Sequence, residues 1–370
     1  MKLFSFTEFV NEQLNYQREA PDSKFDMRIS KKVNCFSGEN WFAVDHATGV
    51  DEIYDITKRD LFNVVTQLEF TGNTKKFDSN LPALGYVATY TQTVLESGYN
   101  PELMYNLPED SLKLRKVNFY KHLNEIGSVY CSKTVFTIEE AKQLTFPVIA
   151  KAEASWQSKG VKKFDTVEEL IQCEEQFDLY QEAFKIDKEY RAIIFKGKKD
   201  TTPKLLTMSL RTPANDKANS LRVSEGAAHE ELADNESSKF TWTTIDIFGQ
   251  NRDENSVGLI DMSEISRLVS DVLKVSPDMN VFAIDVAIDT NGKYWLIEAN
   301  TQPGQNGITP HLIYLNMVKD FYGLKIISED IDKMKTSMYS SITATRSYLL
   351  GFSIPDCLYS DPQYWYGIEL

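Results

Sequence analysis

Apolar and polar positions recur along this chain in two rhythms. Val117, Phe119, Tyr120, Leu123 and Ile126 are apolar at three-to-four spacing, which predicts an amphipathic helix over 117–126, stopped by Gly127. Shorter helices open at Thr137 and Thr166, where Glu140 and Glu169 stand three residues on and complete capping boxes. A further helix is expected over Ser263–Leu273, opened by Ser263, and others over Phe4–Leu14 and Leu84–Leu95. The second rhythm is the short apolar run. Phe146–Lys151, Val161–Phe164, Leu179–Phe184 and Tyr190–Phe195 read as strands. Residues 213–238 and 249–257 are polar and read as loops. This succession predicts an α+β fold with open sheets.

One stretch is more informative than the rest. FAIDVAIDTNGKYWLIEANTQPG, residues 282–304, sets two strand-like runs on either side of Asn291-Gly292, a strong hairpin signal. With those two as the turn, counting outward puts Ile288 opposite Trp295, Asp285 opposite Glu298 and Ala283 opposite Asn300. Alternation then sets Asp285, Glu298 and Asn300 on one face. Phe282, Ile284, Val286, Ile288, Trp295 and Ile297 fall on the other. Opposed carboxylates repel by roughly a few tenths of a kcal/mol or more, so something should compensate. Three convergent oxygen ligands suit Mg²⁺, which keeps water and takes phosphates as its other ligands. Spacing alone does not separate that site from an acidic face turned to water.

Composition narrows the classes. The chain has 370 residues, room for two or three domains, with 42% hydrophobic and 25% charged residues, an ordinary balance for a globular protein. Its formal charge of −14 argues against non-specific binding to nucleic acid or anionic membrane. Cys35, Cys131, Cys173 and Cys357 form no CxxC pair, which fits a reducing cytoplasm. Glu8, Asn11 and Glu12 interrupt any signal-peptide core, and no apolar run reaches the ~18 residues of a membrane helix. His46, His122, His229 and His311 have no zinc-ligand spacing. Between two strands, AEASWQSKGV (152–161) brings small residues together with Lys151 and Lys159. Read alone, it is better described as a plain hairpin loop than as an anion cradle.

Taken in order, these segments resemble the ATP-grasp enzymes, and most closely the RimK-type glutamate ligases and the glutathione synthetase-like branch, from about Lys113 to about Gly323. KVNFYKHLNEIG, beginning at Lys116, resembles the family's first nucleotide lysine with its helix. FPVIAKAEASWQSKGV resembles the strand, lysine and covering loop, with Lys151, Gln157, Gly160 and Val161 at matching places. YQEAF resembles the strand that reads adenine, through Gln181, Glu182 and Ala183. KEYR resembles the family's Asp-x-Arg, here Glu189 and Arg191. Arg211 and the loop around Asn219 and Arg222 resemble the acyl-phosphate side, IEANTQPG the Glu-x-Asn signature, and Asp285 the earlier metal acid. Ser155 and Ser158 stand where loop glycines are usual, and Glu189 replaces the usual Asp.

The resemblance implies two α+β subdomains clasping ATP behind a smaller N-terminal domain. The expected division is 1–112, 113–185, 186–340 and a tail, 341–370. It implies an ATP-dependent carboxylate–amine ligase working through an acyl phosphate. Asp285, Glu298 and Asn300 would hold Mg²⁺, or Mn²⁺ in its place. Lys116, Lys151, Gln157, Gly160, Gln181, Glu182, Ala183 and Glu189 would bind ATP. Arg211 or Arg222 would stabilise the acyl phosphate. A small molecule, a peptide or a protein side chain or terminus would be the acceptor, with no membrane or nucleic-acid partner. Relatives often form dimers or tetramers, so a homo-oligomer stays open. The alternatives are a kinase-like ATP-grasp phosphotransferase and a non-catalytic nucleotide-binding protein.

Overall fold

A computed structural model describes residues 33–37, 62–66, 70–72, 77–153, 160–213, 240–244, 260–301, 309–323 and 366–370. The expected helix at 4–14, the polar stretch at 214–238, all of that at 249–257 and the tail up to Trp365 lie outside them.

The first unit is a parallel sheet. Its strands are β1 (Asn34–Ser37), β2 (Asn63–Thr66), β3 (Ala83–Gly85) and β4 (Met104–Tyr105), in the order β2-β1-β3-β4. Helix α1 (Ala88–Glu96) covers it and α2 (Pro108–Lys113) follows β4. The single helix expected over 84–95 is therefore a strand end followed by a later helix. Buried Ala83 and Leu84 pair with β1 instead of coiling, and an added Cβ on Gly85 would stand 2.6 Å from the Asn106 carbonyl oxygen. Phe36 anchors the core of this unit, edge-on to Phe77, Tyr90 and Tyr99 at 5.3–5.8 Å.

Helix α3 (Lys116–Glu125) buries Phe119, Tyr120 and Leu123, and Gly127 follows at φ 66. Next comes an antiparallel sheet ordered β5-β8-β6-β7, built from β5 (Thr134–Val135), β6 (Val148–Lys151), β7 (Val161–Phe164) and β8 (Leu179–Glu182). Between them lie α4 (Ile138–Ala141) and α5 (Val167–Gln172). Thr137 and Thr166 accept from the amides of Glu140 and Glu169, the two capping contacts the sequence pattern calls for.

The largest sheet runs β11-β10-β9-β12-β13, from β9 (Ile186–Lys196), β10 (Pro203–Pro213), β11 (Phe240–Thr244), β12 (Val281–Asp289) and β13 (Tyr294–Asn300). Helix α6 (Met262–Val275) precedes β12, α7 (Thr309–Tyr322) follows β13, and β14 (Ile368–Glu369) adds to β10. The cap of α6 is Asp261, whose carboxylate accepts from the Ser263 amide at 2.8 Å, so Ser263 is inside the helix rather than at its opening. Ile265, Leu268, Val269 and Val272 pack one sheet face with Phe282, Ile284 and Val286. The opposite face, with Ile193, Phe195, Val281 and Ala283, packs on α7 and the first unit.

The first unit is tied to the large sheet by polar groups. Asn106, at φ 62, gives its Nδ2 to the Val281 carbonyl (2.7 Å) and accepts from the Asn280 and Val281 amides (3.1 and 2.8 Å). The Tyr105 hydroxyl donates to Asp320 at 2.6 Å, and that carboxylate also receives the amides of Lys198, Lys199 and Asp200. Among the described residues no helix is long and apolar enough to cross a membrane.

Candidate active site

The acidic hairpin pairs Asp285 with Glu298 and Ala283 with Asn300, the pairing obtained by counting outward from the turn. Its tip differs from that count. Gly292 donates to the Asp289 carbonyl and Asp289 to the Lys293 carbonyl, so Thr290, Asn291 and Gly292 form a three-residue loop, with Gly292 at φ 81. Ile288 therefore faces Tyr294, not Trp295. A bulge after Asp285 leaves Ile297 as the extra residue and restores the register at the acids. Tyr294, Leu296 and Ala299 join the core under α6, while Trp295 stacks on Phe184 at 4.6 Å and Ile297 lines a cavity. Trp295 and Ile297 are thus not on the core face where strict alternation put them.

The charge that offsets the two acids comes from the neighbouring strand. Arg191 is in register with Asp285. Its Nε and Nη2 donate to Oδ1 and Oδ2 at 2.7 and 2.6 Å, a two-pronged ion pair with Asp285 only 5% exposed. Burial opposes the guanidinium charge, but Asp285 outweighs it and holds Arg191 protonated. Burial, with repulsion from Asp285, pushes the Glu298 carboxyl above its usual range, while Arg191, Lys116 and Lys151 draw it back. Among the described residues no three His, Cys, Asp or Glu side chains cluster as metal ligands. The donor set here is two carboxylates and the Asn300 amide, hard oxygens that fit a small divalent cation.

Lys151 ends β6 across from these acids. It is buried, its Nζ lies 5.4 Å from the Tyr120 ring centroid, and burial pulls its pKa down to about 8. Lys116 repels it and Glu298 attracts it, so the two lysines and the acid feel one another directly. Lys116 stands in the first turn of α3, half-buried. The Tyr120 hydroxyl donates to the carbonyl of the bulged Ile297 and so fixes α3 against the hairpin.

Between the two antiparallel sheets is a small pocket, partly open to solvent, walled by Ile149, Lys151, Gln181, Phe184, Ile186 and Ile297 among others. Gln181 is buried and donates from Nε2 to Thr134 Oγ1 at 2.8 Å. Glu182 also borders the cavity, its Oε1 accepting from the Thr145 amide at 2.9 Å. Ala183 is not in the cavity wall. Its amide donates to the Pro147 carbonyl at 2.9 Å, and Phe184 takes its place. Glu189, 6% exposed, sits two residues from Arg191 on the same strand face. Gly160, at φ 73, accepts the Ala152 amide at the base of the β6–β7 hairpin. Arg211 is in backbone register with Glu189 on β10. Gln157 and Arg222 lie outside the described residues.

The reading of residue types gave no role to Arg191, Tyr120, Phe184 or Glu153. The last caps α3, its carboxylate accepting the Val117 amide at 2.7 Å. Arg191 carried a signal that could have been used: one cation on a strand adjacent to an opposed pair of acids. The other three depend on contacts between elements far apart in sequence.

A family model described as YheC/D like ATP-grasp matches residues 234–321. No curated protein matches the sequence. Among solved structures, the chain resembles N5-carboxyaminoimidazole synthetase from Staphylococcus aureus at TM-score 0.52 and 11% identity, over 82% of this chain and 84% of that one. N5-carboxyaminoimidazole synthase from Aspergillus clavatus, in complex with ADP and an aminoimidazole ribonucleotide, gives TM-score 0.51 and 11% identity over 81% and 78%. Carboxyaminoimidazole ribonucleotide synthase from the same organism, complexed with ATP, gives 0.51 and 11% over 80% and 78%.

Proposed function

From the premise that this chain has the ATP-grasp fold, we propose that it is an ATP-dependent carboxylate–amine ligase. It would activate a carboxylate as an acyl phosphate, releasing ADP, and pass the acyl group to an amine, releasing phosphate. The acceptor would be a small molecule, a peptide or a protein side chain or terminus. The observation that carries the reading is the meeting of Lys116 and Lys151 with Asp285 and Glu298 beside an apolar cavity between two sheets. Phosphoryl transfer is mostly positioning and charge neutralisation, and this arrangement supplies both.

On this reading, the residues take the following roles. Ile149, Phe184, Ile186 and Ile297 would enclose the base, with Gln181 and Glu182 at its polar edge. Lys116 and Lys151 would grip the phosphates, and Glu189 would accept from the ribose. Asp285, Glu298 and Asn300 would hold Mg²⁺, which when bound neutralises phosphate charge. Arg191 already neutralises Asp285 and so lets the two acids stand opposed. Arg211, in backbone register with Glu189, or Arg222 would stabilise the acyl phosphate. The division into 1–112, 113–185, 186–340 and 341–370 belongs to the same reading. Sparse, unpatterned cysteine supports a reducing cytoplasm.

The test is a screen of pooled amino acids, peptides and carboxylates with MgATP, read by mass spectrometry and phosphate release. ADP and phosphate should form only when both a carboxylate and an amine are present, with a new amide in the products. Glu298→Ala should abolish turnover. Phosphate transfer to a hydroxyl with no amine requirement would favour a kinase-like enzyme, and full turnover by Glu298→Ala would overturn the metal assignment.

A further inference from the structure

Thr134 and Gln181 are register partners where β5 meets β8. The Thr134 hydroxyl donates to the Ser132 carbonyl at 2.7 Å. The Cys131 thiol donates to the same carbonyl at 3.1 Å, so its proton is committed there too. A carbonyl only accepts and a hydroxyl has one proton to give, so Thr134 Oγ1 must receive its next hydrogen bond as an acceptor. Its partner at 2.8 Å is Gln181 Nε2. The carboxamide therefore cannot be reversed without placing two acceptors against each other. Its nitrogen is fixed on Thr134, which leaves its oxygen as the acceptor it can offer to the cavity that Gln181 and Ser132 both line.

We propose that Thr134 is a positioning residue for base selectivity: the chain from the Ser132 carbonyl through Thr134 to Gln181 presents a fixed acceptor to the cavity and so selects a 6-amino purine over a 6-oxo purine. The inference rests on the nucleotide reading above and deepens it. An amino group at the purine 6-position would donate to Gln181 Oε1. A 6-oxo group would set oxygen against oxygen, and a buried acceptor left unpaired is expensive. Rotating the amide to suit the 6-oxo base would break its bond to Thr134.

The probes are ATP and inosine triphosphate, which differ at the 6-position and its neighbouring ring nitrogen. Each competes with a fluorescent trinitrophenyl nucleotide on the full chain. The wild-type protein should prefer ATP. Thr134→Val removes the hydroxyl at nearly constant volume and should lower the ATP-to-inosine preference about fivefold, the worth of one net hydrogen bond. Thr134→Ser should restore it. Thr134→Ala makes the same comparison if valine disturbs folding, as checked by circular dichroism. An unchanged ratio in the folded valine or alanine variant overturns the proposal, as does equal binding of both nucleotides by the wild-type protein. Failure of either triphosphate to bind the folded wild-type chain is a different result, and it removes the nucleotide reading itself.

Discussion

Lys151 sits in a setting that works against its own charge. Burial lowers its pKa to about 8 from an ordinary 10.5. Below about pH 8 it is charged in the folded and unfolded chain alike. Between about 8 and 10.5 the unfolded chain binds the extra proton, so this group adds stability as pH rises through that window. Nucleotide affinity should move the opposite way, since gripping phosphate needs the proton. Titrating MgADP by calorimetry should show affinity falling roughly tenfold from about pH 7 to about pH 9, and Lys151→Met should lose that step. Arg191 gives a second outcome at this scale. Arg191→Met strands the Asp285 carboxylate beside Glu298 and should destabilise the fold by about 3 kcal/mol. Urea unfolding with and without MgCl₂ should show the metal recovering part of that loss in the variant and adding little to the wild-type protein. The lysines and acids were visible in the sequence as residue types. Arg191 was visible only as a letter in a motif, because its partner is 94 residues away in the chain.

At the scale of elements, legibility follows how local the governing force is. The helix after Lys116 and the caps at Thr137 and Thr166 depend on residues three or four apart, and the sequence states them. The hairpin was readable to within one residue, and that residue was decided by the loop. Three residues closed it where two were expected, since Gly292 takes the left-handed conformation at φ 81. An added Cβ there meets nothing within 4 Å, so Gly292→Ala isolates backbone strain. It should cost about 1 kcal/mol in chemical denaturation and leave nucleotide affinity unchanged. The helix expected at 84–95 starts four residues late, at Ala88, for the converse reason. Pairing of Ala83–Gly85 with β1 is a long-range contact that helical periodicity does not register.

Across the whole molecule, the first unit and the large sheet share a buried polar seam rather than a loose apolar contact. Asn106 satisfies three backbone groups of Asn280 and Val281, and Asp320 gathers Tyr105 with three amides of the β9–β10 turn. Asn106→Ala would leave buried amides and a carbonyl unpaired and should destabilise the chain by about 2–3 kcal/mol. Hydrogen exchange should then rise at Val281 and at the end of β4 together, whereas independent units would respond on one side only. Nothing in the chemistry of a lone asparagine announces this role. Its left-handed φ and its distance of 174 residues from Asn280 are properties of the assembled chain.

The extra residue at Ile297 also says how such a hairpin tolerates change. Asp285 is phased from the sheet side, by pairing with β9, and carries Glu298 opposite it, while the tip is phased from its own loop. Ile297 takes up the odd residue between these two countings. Shortening the loop by one residue need not carry Asp285 or Glu298 to the wrong side of the ribbon, because the kink can be given up in exchange. The chemistry-bearing end is thereby insulated from the length of the turn, and chains of this type can differ at the tip while keeping their acids opposed.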